Sequence, residues 1–252
     1  MSNNKEWFES WFDTPYYKYL YNNRTEEEAA AFVSNILDYL KPQSHDKFLD
    51  IGCGYGRVSR QIAKSGYYTI GIDISETRID VARKYSLDNT AFYVQDMRNV
   101  FRTNYFDFVI NFFTSFGYFE QKKDNQLAAN AFVKSLKDNG TLVIDYLNPI
   151  YTEANLVAHN IVNEKGFDFD IRRKVENDMI IKTIEFIDEF GIKRKYFEKV
   201  QLLMLSDFKQ LFEPLGMELM DVFGDYELNP YNETDSQRMI MIFKNKKWNN
   251  AY

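Results

Sequence analysis

Cysteine, histidine and long apolar runs are all scarce in this chain, and each scarcity removes a class of function. Of 252 residues only Cys53 is a cysteine, which excludes an internal disulfide and suits a reducing cytosol. The two histidines, His45 and His159, leave little material for histidine-based acid–base or metal chemistry, and no metal is expected. No segment approaches the roughly twenty apolar residues of a membrane span, so no membrane partner is expected. Residues 1–6 lack a basic start followed by an apolar run, so no secretory signal is expected and the location is expected to be cytoplasmic. Basic residues are outnumbered, 31 Lys and Arg against 37 Asp and Glu, with a net charge of −6 and no basic stripe. A nucleic-acid partner is not expected on that balance.

Aromatic residues are plentiful, at 17% of the chain with 22 Phe and 18 Tyr. That is enough to line a pocket as well as fill a core. Residues 25–40 read as a helix, with Thr25 as N-cap, Glu28 at the capping-box position and one apolar stripe from Ala29 to Leu40. Pro42 stops it. Short apolar runs at 48–51, 68–74, 91–95, 106–111 and 141–146 read as strands alternating with helices, the last of these helices ending near Asn139-Gly140. Such alternation predicts a doubly wound α/β fold with a parallel sheet covered on both faces.

After Pro149 the texture changes. Three β-like runs within 167–200, with turns at Asn177-Asp178 and near Gly191, predict an antiparallel meander inserted in the α/β domain. Ser206 reads as the cap of a short helix, and two strands follow, GMELMDVF and RMIMIFK. The expected organisation is an N-terminal aromatic segment over 1–24, an α/β domain over 25–150 and 201–246, and the insertion over 151–200.

The chemistry points to Asp50-x-Gly52-x-Gly54-x-Gly56 at a strand-to-helix junction. Glycines there permit a tight turn and close backbone approach to a ligand. A dinucleotide fingerprint wants G-x-G-x-x-G, but Arg57 and Ser59 occupy the positions where its last glycine would stand. Asp50 would oppose a pyrophosphate but could orient a cationic amino-acid group. Asp73, closing the second strand, can accept both hydroxyls of a ribose, a role shared with dinucleotide folds. Asp96 can accept from an adenine amino group, with Met97 packing on the ring.

From Leu49 to Asn148 the chain resembles the class I S-adenosylmethionine (SAM) dependent methyltransferases. FLDIGCGYG, GIDIS, QDM, FDFVINFFTSFGYF and NGTLVIDYLNP match their motifs in order. The resemblance implies a Rossmann-like seven-stranded sheet whose last strand is antiparallel. It implies SAM as cofactor, with S-adenosylhomocysteine as product. Gly52, Cys53 and Gly54 would meet the methionine part, Asp73 the ribose, Asp96 and Met97 the adenine, and Asn111 the neighbourhood of the sulfonium, with Asp50 and Ile74 also among the cofactor-binding residues.

The acceptor is narrowed by what is missing. Asn111-Phe112-Phe113-Thr114 lacks the prolines of enzymes that act on exocyclic base amines or glutamine side chains, and no cysteine follows the fourth strand as cytosine-C5 enzymes require. The insertion and the segment 223–227 resemble small-molecule methyltransferases, so a small-molecule O- or N-acceptor is expected, in a monomer or homodimer. A SAM-binding protein without transfer activity and an NAD-dependent oxidoreductase are the alternatives. His45 reads as a surface residue, His159 as a solvated helix end. The insertion is expected to wall the acceptor site, with Arg172 or Arg173 available to an anionic group. The aromatic run over 7–21 is expected to fold over the site as a lid, with Tyr16 or Tyr17 facing the pocket. Tyr16, Tyr17 and Asn111 are therefore the catalytic candidates.

Overall fold

The structure, a computed structural model, describes residues 6–21 and 25–246. Its α/β elements follow the expected order. A helix α3 (Glu26–Leu40) starts where the Thr25 side chain accepts the Glu28 N–H, satisfying one of the orphan amides of a first turn. Then come β1 (Lys47–Ile51), α4 (Arg57–Lys64), β2 (Tyr68–Asp73), α5 (Glu76–Lys84), β3 (Thr90–Val94), β4 (Phe106–Asn111), α6 (Lys122–Ser135) and β5 (Leu136–Leu147). Helix α6 stops before the Asn139-Gly140 turn, and the strand β5 already pairs with β4 at Leu136, with an irregular stretch in between. After the insertion, α8 (Leu205–Phe212), β10 (Met217–Phe223) and β11 (Arg238–Asn245) complete the domain.

The seven strands lie in the order β10-β11-β5-β4-β1-β2-β3, with β11 antiparallel to both neighbours. Alternate residues feed opposite layers, as the period of two dictates. Phe48, Phe108, Ile110, Ile240 and Ile242 pack under α3 and α4 against Phe32, Val33, Ile36, Val58 and Ile62. Leu49, Val109, Leu142, Ile144, Met241 and Phe243 face the other way, toward Phe132, Phe208 and Phe212 of α6 and α8. This two-sided burial explains why the strands read as nearly continuous apolar runs.

The cap of α8 is not Ser206. Its N-cap is Met204, whose backbone N–H is accepted by the Asp207 side chain at 2.8 Å, and Ser206 falls inside the first turn.

The insertion contains α7 (Pro149–Ala154) and a separate four-stranded antiparallel sheet, β6 (His159–Glu164), β7 (Phe167–Glu176), β8 (Met179–Ile187) and β9 (Lys193–Gln201). One strand more forms than the three β-like runs suggested. His159 opens that strand and is not at a helix end; it lies 3.2 Å from Asp170. The sequence HNIVNE concealed it because an edge strand with one face in water carries few apolar residues.

Two short helices precede α3: α1 (Trp7–Trp11) and α2 (Pro15–Leu20), the latter capped by Thr14 with Pro15 at its start. They lie between the insertion and the α/β domain. Trp11, Tyr16 and Leu20 form a core with Phe169, Ile171, Ile184 and Phe186 of the four-stranded sheet, while Phe8 joins the core of the main sheet.

Candidate active site

At the C-terminal ends of β1 and β2, where open α/β sheets place their ligands, the backbone turns through Gly52, Gly54 and Gly56, all at positive φ. A Cβ on Gly52 would come within 2.8 Å of the Ser115 Cβ, and one on Gly56 within 2.6 Å of the Phe92 ring. Both positions are closed to any other residue. Gly54 is different: a Cβ there would meet nothing nearer than Arg78 Nη1 at 3.8 Å, so this glycine opens space above the loop.

Over the loop lies a cavity of about 350 Å³, within the range of roughly 300–1,000 Å³ typical of small-molecule sites. Asp50, Gly52, Cys53, Gly54, Asp73, Ile74, Asp96 and Met97 all line it. The loop after β4 supplies Phe112, Phe113, Ser115, Tyr118 and Phe119, and the N-terminal helices supply Phe8, Phe12, Tyr17, Lys18 and Tyr21.

Each acidic residue is already held by the protein. The Asp50 carboxyl is 2% exposed and accepts the Ser59 hydroxyl at 2.5 Å; burial pushes its pKa up to about 7. Asp73 accepts the Gly54 N–H at 2.8 Å on one oxygen and the Ser75 N–H at 2.9 Å on the other. It thereby ties the glycine loop to the N-cap of α5, and each oxygen retains a lone pair for a further donor. Asp96 receives Arg98 from three directions, with Nη2 at 2.6 Å, Nε at 2.9 Å and the backbone N–H at 2.8 Å. Arg98 also bonds Glu6 at 2.9 Å, which links this edge of the cavity to the N-terminal segment. Cys53 is half-buried in the cavity wall, and desolvation there drives its thiol pKa well above the ordinary range, so it has no thiolate chemistry to offer.

Several expectations are corrected. Asn111 is fully buried beneath the glycine loop and absent from the cavity wall; its Nδ2 donates to the Ile51 carbonyl at 2.8 Å. The side chain points inward because the backbone it braces is the turn itself. Tyr16 also faces away: its hydroxyl donates to Glu189 at 2.6 Å and its ring packs on Phe186. Tyr17, one residue on, does face the cavity. Arg172 pairs with Asp170, Arg173 bonds Asn160 and the Val157 carbonyl, and no residue of 151–200 lines this cavity. The insertion supports the N-terminal helices from behind instead of walling the pocket. The segment 223–227 likewise acts at one remove. Tyr226 backs Phe113 with its ring at 5.6 Å and reaches Asp145 with its hydroxyl at 3.3 Å.

Two arginines went unnoticed in the sequence. Arg98 sits two residues beyond Asp96, a spacing at which a carboxylate and a guanidinium can fold back on each other at a turn. Arg78 sits three beyond the Ser75 cap, where a helix side chain leans back over its own N-terminus.

A family model described as a methyltransferase domain matches residues 48–140. A protein of Geobacillus sp. (strain WCH70) that carries a methyltransferase name is 27% identical over 95% of this chain and 98% of its own length. A solved SAM-dependent methyltransferase from Clostridium acetobutylicum superposes with a TM-score of 0.77 at 17% identity, covering 92% of this chain and 96% of the other. The SAM-bound structure of an amino pentose methyltransferase from Micromonospora echinaspora gives 0.69 at 18% identity, covering 92% and 98%. With the sheet order and the glycine loop, these place the chain among the class I SAM-dependent methyltransferases. Its cofactor is SAM, and the residues present fit it: an open glycine cradle at Gly54, two strand-end carboxylates and a buried carboxyl at Asp50.

Proposed function

We propose that this enzyme transfers the methyl group of SAM to an oxygen or nitrogen atom of a small molecule. The observation that carries this reading is the roof over the cavity. Phe8 and Tyr17 of α1 and α2, and Phe12 and Tyr21 that end these helices, line it together with Tyr118 and Phe119, so the N-terminal segment closes one side. An acceptor must fit beneath them, which suits a metabolite better than an exposed base or a protein side chain. The Micromonospora enzyme, an amino pentose methyltransferase, is named for an acceptor of this kind.

Bound SAM supplies an electrophilic methyl on a sulfonium, which an acceptor lone pair displaces in line. The chain's part is to align the two and exclude water. In this reading Asp50 receives the ammonium of the amino-acid end, Asp73 the ribose hydroxyls and Asp96 the adenine amino group. Tyr118 lines the cavity with a ring suited to a cation. Neither histidine lines the cavity, so an amine attacking as its neutral form makes the lighter demand on the site.

The test is a screen of small amines and hydroxyl compounds for acceptor-dependent formation of S-adenosylhomocysteine. One class of metabolite should give turnover above the rate of SAM alone. Methylation of protein or RNA fractions with no small-molecule turnover would overturn the reading.

A further inference from the structure

Asp73 is not the only group at the expected ribose position. Arg78 lies across the loop from it, 8% exposed, with its guanidinium in the cavity wall. Three rings surround the cation: Tyr17 at 4.4 Å, Phe12 at 4.6 Å and Tyr55 at 5.6 Å from their centroids. Nε donates to the Phe12 carbonyl at 3.1 Å. Nη1 lies over Gly54, at the spot the missing Cβ leaves open. Tyr17 supplies a ring face and a nearby hydroxyl, and Nη2 is sealed off from the cavity. That leaves Nη1, above the open glycine, as the nitrogen directed at the cavity, and a largely buried guanidinium donor calls for an acceptor.

The surrounding contacts fix where the side chain starts. The Ser75 N–H is held by Asp73, and the Ser75 hydroxyl accepts the Arg78 N–H and donates to Asp13. Asp73, Ser75 and Arg78 therefore form one unit that touches the N-terminal segment twice, at Phe12 and Asp13. One side of the unit faces the cavity, and the other holds the roof.

We infer that Arg78 is a second ribose-binding residue, which donates from Nη1 to a hydroxyl oxygen of the cofactor's ribose while its Nε holds the N-terminal segment over the nucleoside. This rests on the SAM reading of the site. The carboxylate of the amino-acid end is the rival partner, but the proposed function puts that end beside Asp50. Nucleoside binding then gives Nη1 an acceptor and fixes the guanidinium whose Nε holds Phe12, so cofactor binding and roof closure reinforce each other.

Calorimetry with two ligands tests this: S-adenosylhomocysteine, and 5′-methylthioadenosine, which keeps the ribose and lacks the amino-acid end. Arg78→Met is expected to weaken both by about ten- to a hundredfold, the range of a charge-assisted hydrogen bond. Arg78→Lys keeps a cation for the fold, but one ammonium cannot replace a fork that serves two partners. It should still lose about fivefold or more for methylthioadenosine. Methylthioadenosine should also slow trypsin cleavage after the exposed Lys18 in the wild type and not in Arg78→Met. Loss of S-adenosylhomocysteine affinity alone would assign Arg78 to the carboxylate and overturn the inference. So would unchanged affinity for both ligands in either folded variant, or undiminished protection of Lys18 in Arg78→Met. Failure of the wild type to bind either ligand would overturn the cofactor reading as well, which separates the two.

Discussion

Arg238 places Nε 2.7 Å from Asp145 Oδ1, closing an ion pair between β11 and β5 directly behind the loop that follows β4. Asp145 is fully buried, and its other oxygen accepts the Phe113 N–H at 2.7 Å, while its carbonyl accepts the Thr114 N–H. Phe113 and Thr114 both sit at φ 57, a left-handed conformation that costs side-chain-bearing residues energy and persists only when the surroundings impose it. Here they do. Arg238 also donates to the Thr114 hydroxyl at 2.9 Å, and the Leu147 N–H does so at 3.1 Å.

Breaking this pair should therefore be felt in the cavity that Phe113 lines. Arg238→Met leaves the Asp145 charge buried without its partner, and about 3–5 kcal/mol of stability should be lost in denaturant unfolding. Affinity for S-adenosylhomocysteine should fall with it. Asp145→Asn, which keeps an acceptor for Phe113, should lose less. Unchanged unfolding midpoints in both variants would show that the corner holds itself.

Asp50 gives a pH dependence with a definite sign. Burial raises its pKa from 3.8 to about 7, so between those values the native state keeps a proton that the unfolded chain releases. Its contribution to stability is fully present below about pH 4 and is lost as pH rises through about 7. The ligand-free protein should lose melting temperature from pH 5 to 8 relative to Asp50→Asn. Binding of a ligand ammonium favours the carboxylate, so S-adenosylhomocysteine should release a proton on binding, and its affinity should fall by up to about tenfold per unit below pH 7. A flat affinity profile from pH 6 to 8 would place the ammonium elsewhere.

The parts legible in the sequence were those with a strong local signature. Phe48, Leu49 and Ile51 alternate between two buried layers and so read as a strand, and the Gly52–Gly56 spacing follows from backbone approaches that a Cβ would block. Asp73 stood out because a strand end and a helix cap meet there. What stayed hidden was direction. Nothing local distinguishes Tyr16 from Tyr17, but on a helix adjacent residues point about 100° apart. One faces Glu189 and the other the cavity. Asn111 was found as a residue and misplaced as a group, because whether a strand-end side chain braces the turn or enters the pocket depends on the Ile51 carbonyl sixty residues away. Arg98 and Arg78 escaped because their roles arise from tertiary contacts with Glu6 and Phe12.

Asp73 joins structure and binding more closely than its place at a strand end suggests. Its carboxylate holds Gly54 and Ser75 as well as facing the cavity, so Asp73→Ala should cost both stability and affinity. Each charge-assisted bond is worth about 1.5–3 kcal/mol. Unfolding should show a loss of that order, and S-adenosylhomocysteine affinity should drop by more than about tenfold. Asp73→Asn should recover part of the stability, because its one oxygen can still accept a backbone N–H, and little of the affinity. A folded Asp73→Ala protein with full affinity would move the ribose elsewhere.

The N-terminal helices combine two roles that single substitutions can separate. Trp11 is fully buried, its Nε1 donates to Glu198 at 2.7 Å, and its ring lies 4.5 Å from Tyr196 of the four-stranded sheet. It lies on the insertion side and does not line the cavity. Phe12, its neighbour, is half-buried and does line it, with its ring on Arg78 and 5.6 Å from Tyr118. Trp11→Ala should therefore cost about 3–5 kcal/mol in unfolding, the range for a large aromatic truncated in a core. Phe12→Ala should cost less stability and weaken S-adenosylhomocysteine, because one face of the Arg78 cation is uncovered to water. Deleting residues 1–21 should produce both losses at once, since Trp11 anchors the segment that carries Phe12 and Tyr17. A truncated protein with the wild-type melting temperature and reduced affinity would make the segment a pure lid. Equal affinity losses for Trp11→Ala and Phe12→Ala, each measured on folded protein, would mean that the two faces do not divide the work.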